Sequence, residues 1–310
     1  MRSGNNEANT RLNLTAGTAS VTVALVLVAL KLWALAETGA LSVAASLTDS
    51  ALDLIMSLGA LMAVFYAARP PDDDHRFGHS SAEDLAALGQ SVFILISAGV
   101  IGWSGIRRLL DETPPALSAE GRGIAVMLLS IALTILLLLW QRRVVAQTGN
   151  RVVQADALHY LGDLVPGVGA ILSLWVSARF GYVQLDSVVA MGTAAMLIVA
   201  ASRIGKAAWD ALMDRAPDPV LIGSIEAIAS GWPGVHGHHD LKMRRAGSRV
   251  FVNLHVELDG RLSLDEAHAI GAALRRAILK THPETDVIIH KDPVGVRPHP
   301  DDPSRKRATS

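Results

Sequence analysis

The chain has 310 residues, a formal net charge of −1 and no cysteine. Near-neutrality excludes the broad basic field that recruits nucleic acid. The missing cysteines exclude disulfides, thiolate metal clusters and cysteine nucleophiles together.

Half of the residues are hydrophobic and the mean hydropathy is +0.34, with the apolar residues gathered in blocks. A membrane span needs about 20 mainly apolar residues. Six such stretches read at roughly 13–36, 40–67, 85–106, 121–141, 155–178 and 184–208, preceded by a cytosolic tail over 1–12. The first contains Lys31, which can snorkel from near a helix end. Its long, mixed-charge lead and lack of a small-residue cleavage site argue for a retained span, not a signal peptide. The second carries Asp49 and Asp53, and the third carries Gln90. The fourth is the plainest, since 126–140 (VMLLSIALTILLLLW) holds no charge. The fifth holds His159, Asp163 and Pro166, with Asp156 at its entrance next to interfacial water; the proline is expected to kink it near Asp163. An even number of spans puts both termini on one side. Arg2, Arg11, Arg69, Arg76, Arg142, Arg143 and Arg151 assign that side to the cytoplasm, and Arg107, Arg108 and Arg122 weaken the bias.

Asp49, Asp53, His159 and Asp163 are the ionisable residues that the membrane reading must explain. A carboxylate in hydrocarbon costs about 2.5–3.5 kcal/mol on the mild insertion scales. Asp49-x-x-x-Asp53 and His159-x-x-x-Asp163 each have the spacing that stacks two side chains on one helix face. Two such pairs facing each other offer one imidazole and three carboxylates to a single cation. Neighbouring Ser46, Thr48 and Ser50 can satisfy one acid structurally, but hardly three acids and a histidine. With nitrogen and oxygen donors only, zinc, iron(II), cobalt or cadmium suits the set better than copper(I), and manganese fits less well.

The link between the second and third spans, 70–79 (PPDDDHRFGH), reads either as a solvated acidic loop or as an exposed metal site using Asp72, His75 and His79. Beyond Pro217 and Pro219 the composition becomes that of a small soluble domain over 209–296. A helix is expected over 220–231 and a strand over 239–245, followed by a turn at Gly247–Ser248 and a strand over 249–259. In that last strand Val250, Val252, Leu254, Val256 and Leu258 alternate, leaving Asn253, His255 and Glu257 on the other face. Ser263 and Glu266 form a capping box for a helix to about Lys280. A short strand (DVIIH, 286–290) completes an αββαβ order, hence a two-layer α+β domain. The tail 297–310 has the composition of a disordered segment. Eight of the eleven histidines lie beyond residue 235. They are either scattered and solvated or, where the sheet gathers them with carboxylates, a zinc-type site; His282 and His299, in a turn and a tail, belong with the former.

At these residues the chain resembles the cation diffusion facilitators, most closely the bacterial branch that exports ferrous iron and zinc. The carrying segments are SLTDSALDL (46–54), PPDDDHRFGHSSAEDLAALGQ (70–90), ADALHYLGDL (155–164), WPGVHGHHDL (232–241) and DVIIHKDP (286–293). The resemblance implies a six-helix transmembrane bundle, a cytosolic αββαβ domain, a homodimer in the inner membrane with both termini cytoplasmic, and exchange of metal for protons. Zinc and iron(II) would be cargo and structural ions, with no prosthetic group and no nucleic acid; lipid, protons and cations complete the partners. Carried over residue by residue, the transport site falls on Asp49, Asp53, His159 and Asp163, and the loop site on Asp72, His75 and His79. A cytosolic binuclear site falls on His239, His255, His268, His290 and Asp292. One departure concerns a lysine that, in the family, pairs across the dimer with an acid after the sixth span. The acid is Asp214, but Ser81 stands in the lysine's place, leaving Arg76 as a substitute. Two other classes remain to be weighed. An intramembrane metal hydrolase would need a motif such as H-E-x-x-H, which is absent. A membrane-anchored metal sensor would use the spans only as an anchor.

Overall fold

The structure is a computed structural model that describes residues 2–38, 41–110, 121–180 and 185–295. The expected tail at 297–310 lies outside the described residues. Six long helices come first: α1 (Arg2–Thr38), α2 (Leu41–Ala67), α3 (Ser81–Leu110), α4 (Gly121–Thr148), α5 (Arg151–Phe180) and α6 (Leu185–Leu212). All but α2 run beyond the expected apolar stretches into flanking polar residues. α1 begins at Arg2, so most of the expected tail is helical. α5 runs through Pro166 as one helix of 30 residues, about 45 Å long at 1.5 Å per residue.

The chain divides into two compact units, Ala8–Trp209 and a second that includes Asp210–Ser310. In the first unit, α1, α2, α3, α4 and α6 are each long and apolar enough to cross a membrane by length and composition. Its surface is apolar, unlike that of a soluble bundle. Leu85, Ile96, Trp103, Leu136 and Met62 are exposed, whereas Ser20, Ser57, Gln141 and Asp156 are buried. Large apolar groups facing outward, with the polar ones turned into the interior, are what lipid imposes, since hydrocarbon offers unpaired polar groups nothing. The centre of α3, α5 and α6 is built from small residues, Ala87, Ala98, Ala155, Ala201 and Ala208, around Ile94 and Leu197. Small residues let backbones approach closely. At Gly205 on α6 an added Cβ would lie 2.5 Å from Ser91 Oγ on α3, and at Gly105 on α3 it would lie 3.2 Å from the Ser187 carbonyl on α6. Arg151, at the start of α5, forms an ion pair with the buried carboxylate of Asp84 on α3.

The second unit contains α7 (Pro219–Ser230), β1 (Gly237–Ala246), β2 (Arg249–Leu258), α8 (Leu264–Thr281) and β3 (Thr285–Pro293). The order is αββαβ, as the sequence predicts. Asp218 caps α7 by accepting from the Val220 N–H, with Pro219 in the first turn. Both arms of the Ser263–Glu266 capping box form at the start of α8. Glu266 is held below the usual carboxylate range by hydrogen bonds from the Ser263 hydroxyl and then its backbone N–H. The sheet order is β1-β2-β3. β1 and β2 are antiparallel around Gly247, which takes φ +54°, and β2 and β3 are parallel, joined through α8. Val250, Val252, Leu254, Val256 and Leu258 are buried with Ile225 of α7, Leu274 and Ile278 of α8, and Val287 of β3. That core consumes one face of β2, so the other presents Asn253, His255 and Glu257.

Candidate metal centres

Among the described residues, three groups of donors gather ligand atoms within 4.8 Å of one another: Asp53, His159 and Asp163; Asp72, His75 and His79; and His239, His255 and Asp292.

The first group joins α2 to α5. His159 Nε2 lies 3.1 Å from Asp53 Oδ1 and 3.9 Å from Asp163 Oδ2. The i, i+4 spacing brings Asp163 onto the face of α5 that carries His159, and Phe93 of α3 meets the imidazole edge-on, with ring centres 5.7 Å apart. The histidine is buried, whereas the Asp163 side chain is 51% exposed and leaves the group open on one side. Asp49 lies one turn before Asp53 on α2, is exposed, and stands outside the group. Lys31 of α1 donates to Ser50 Oγ at 2.6 Å, beside that turn.

Behind this group the structure corrects the expectation for Asp156. It is 2% exposed and does not reach interfacial water. Its Oδ2 accepts from Ser20 Oγ at 2.5 Å and from Gln141 Nε2 at 2.7 Å, which ties α1, α4 and α5 together. A turn further on, the Tyr160 hydroxyl lies 2.9 Å from Ser57 Oγ of α2. This polar network was not readable in advance because its members are 15 to 136 residues apart in sequence.

The second group sits in the turn between α2 and α3. Asp72 Oδ1 accepts from the backbone N–H groups of Asp74 at 3.1 Å and His75 at 2.7 Å, a local turn that aspartate favours. The His75 N–H holds the Asp72 carboxyl below the usual carboxylate range, helped by the His75 side chain. Oδ1 also lies 3.3 Å from His75 Nδ1, and Oδ2 lies 3.2 Å from His79 Nε2. The two imidazoles are 4.5 Å apart, and Tyr66 of α2 packs edge-on against His79. His79 is buried and its Nδ1 has no hydrogen-bond partner.

The third group is a product of sheet register. His239 of β1 pairs with His255 of β2, which pairs with His290 of β3; one rung on, Glu257 pairs with Asp292. Residues paired across strands share a face, so three imidazoles line up with ring centres 5.2 and 4.6 Å apart. Asp292 is the hub. Its Oδ2 lies 2.9 Å from His255 Nδ1 and 3.3 Å from His239 Nε2, and its Oδ1 lies 3.2 Å from His290 Nε2. One carboxylate with histidines on both oxygens is suited to bridge two cations. The His239 Nδ1 atom is buried without a hydrogen bond, as an atom reserved for a cation would be, whereas the Asp240 carboxylate is held by the Lys242 ammonium at 2.9 Å. His268, on α8, is exposed and stands outside the group. Two residues that the sequence reading missed join it: Asp240, 3.7 Å from His255 Nε2, and Glu257, 3.4 Å from His239 Nδ1. Asp240 reaches in through a register irregularity after His239, where it takes φ +48°, a conformation aspartate tolerates better than most residues.

The expected substitute for the missing lysine and the acid it would pair with each have partners of their own. Arg76 lies 3.4 Å from Asp73 in its loop, and Asp214 lies 3.1 Å from Arg244, whose guanidinium stacks on Phe251. His282 donates to or accepts from Ser224 Oγ at 2.8 Å, a structural tie between α8 and α7.

Comparison with known proteins agrees with this architecture. Residues 17–213 match the cation efflux transmembrane domain, and residues 217–294 match the cytoplasmic domain of cation efflux proteins. The chain is 40% identical over 294 residues to the cation-efflux pump FieF of Citrobacter koseri, covering 94% of this chain and 97% of that protein. It is 39% identical over 293 residues to FieF of Salmonella arizonae, with the same coverage. The metal-bound C-terminal domain of the CzcD transporter from Thermotoga maritima is 31% identical over 26% of this chain and 93% of that one, with a TM-score of 0.25. With both domains matched and relatives alike along nearly their whole length, the chain belongs to the cation efflux, or cation diffusion facilitator, family, whose members are transporters and not enzymes.

Proposed function

We propose that this transporter exports zinc or iron(II) in exchange for protons through Asp49, Asp53, His159 and Asp163, and accepts cadmium or cobalt(II) as well. The observation that carries the reading is the convergence of Asp53, His159 and Asp163 within 4.8 Å, on helices of an apolar bundle. Asp49, one turn away on the same helix face, supplies the fourth donor. Three carboxylates and one imidazole fill a tetrahedral shell of the kind zinc prefers. A cation must displace any protons these donors carry, because metal ligands bind deprotonated. Binding is thereby linked to proton release at one place. If rocking of helix groups opens that place to each side in turn, an inward proton gradient drives the cation outward.

The bundle over 13–208 is the transport domain, set in a bacterial inner membrane with both termini cytoplasmic. The domain over 209–296 binds further cations and supports a homodimer. Asp292 bridges two cations, with His239, His255 and His290 as the remaining donors and His268 recruited from α8. Asp72, His75 and His79 form the loop site. Cytosolic metal favours one arrangement of the dimer only if its affinity differs between states.

The test is proton release on binding. Zinc is added to the weakly buffered, purified full chain carrying Asp72→Asn and Asp292→Asn, which silences the other two groups. Protons appear in this background and not when Asp53→Asn is added. Zinc binding at Asp53 without proton release contradicts the exchange.

A further inference from the structure

A groove of about 560 Å³ runs between α4, α5 and α6, and is lined near one end by Arg142, Arg151 and Arg203 and further along α4 and α5 by Leu138 and Leu161. The arginines come from three different helices, so the groove draws them together. Arg151 is partly neutralised by Asp84. Among the described residues no carboxylate pairs with Arg142 or Arg203, and both are exposed. Two tryptophans place this end of the bundle at the membrane interface. Trp140 precedes Arg142 on α4 and Trp209 follows Arg203 on α6, both exposed. Tryptophans favour headgroup depth. The groove also faces away from the transport donors. At 100° per residue, α5 turns Ala157 and Leu161 each about 200° from His159.

We propose that this groove binds an anionic phospholipid. Its phosphate sits among the three guanidiniums and an acyl chain lies along Leu138 and Leu161. The guanidinium fork matches phosphate geometry, and a basic pocket between transmembrane helices at headgroup level is where anionic headgroups bind. The four-residue step from Leu138 to Arg142 puts an apolar side chain directly below a cationic one on the same face of α4. The lipid crosslinks α4, α5 and α6 from the face opposite the transport donors.

The purified full chain, in a neutral detergent, is incubated with equal amounts of phosphatidylglycerol and phosphatidylcholine, and the retained lipid is read by native mass spectrometry. The wild type retains phosphatidylglycerol with a preference above about tenfold, given roughly a tenfold effect from even one or two well-placed arginines. Arg142→Gln with Arg203→Gln removes that preference, whereas Arg143→Gln, on the neighbouring exposed arginine, leaves it. Equal retention of the two lipids by the wild type overturns the proposal without recourse to any variant. So does displacement of the lipid by inorganic phosphate alone, or an Arg143→Gln effect as large as that of the double variant.

Discussion

Asp292 Oδ2 lies 2.9 Å from His255 Nδ1, across a parallel strand pair whose register sets Asp292 opposite Glu257. The same carboxylate reaches His239 and His290, so the cytosolic group depends on it more than on any one histidine. Asp292→Ala should therefore weaken zinc binding to this group by more than about 100-fold, beyond the 10–100-fold typical of losing a mere supporting contact. Calorimetry on the full chain, against an Asp72→Asn background, measures it. His290→Ala, which removes one flank only, should cost less. Equal losses would mean that Asp292 is not a shared ligand.

Asp156 offers a test of the bundle apart from its transport site. Replacing it by leucine strands the buried Ser20 hydroxyl and leaves the buried Gln141 amide only its 2.8 Å bond to Ser20 Oγ. An unsatisfied buried donor costs about 1–3 kcal/mol. Thermal unfolding in detergent should show a clear loss of stability for Asp156→Leu and a smaller one for Asp156→Asn, which keeps an acceptor oxygen. An unchanged midpoint for the leucine variant would rule out a structural role for the network.

Acid stability should carry the mark of Asp259, at the end of β2. The Arg261 side chain, then its backbone N–H, hydrogen-bonds the carboxylate and lowers its pKa to about 2. An unfolded aspartate titrates near pH 3.9. Because the folded value is depressed, the contribution is fully present above about pH 4 and is lost as pH falls through about 2. Asp259→Asn should flatten the pH dependence of unfolding in that window, followed by circular dichroism, and leave neutral-pH behaviour nearly unchanged.

The parts of this molecule that were legible beforehand are those written in local pattern. The alternation from Val250 to Leu258, the Ser263–Glu266 box and the apolar blocks each depend on neighbours a few positions apart, and periodicity reports such neighbours directly. The pairing of Asp49 with Asp53 and of His159 with Asp163 is of the same kind. What was hidden depends on contacts between distant segments. Nothing in the spacing of Ser20, Gln141 and Asp156 shows that three helices bring them together. Asp240 enters the cytosolic group only through a strand irregularity and a positive φ, and the place of Asp292 at its hub is set by parallel register across a helical crossover. The arginine groove likewise needs three helices to be placed before it exists.

Passage of a cation through the group at Asp53 and His159, in exchange for protons, is the step on which the proposed transport rests. It is tested most directly by zinc and iron(II) flux into proteoliposomes under an imposed pH gradient, with wild type beside Asp53→Ala. Flux should follow the gradient, reverse when the gradient is reversed, and disappear in the variant. Flux that is indifferent to the gradient, or that persists in Asp53→Ala, would contradict that step.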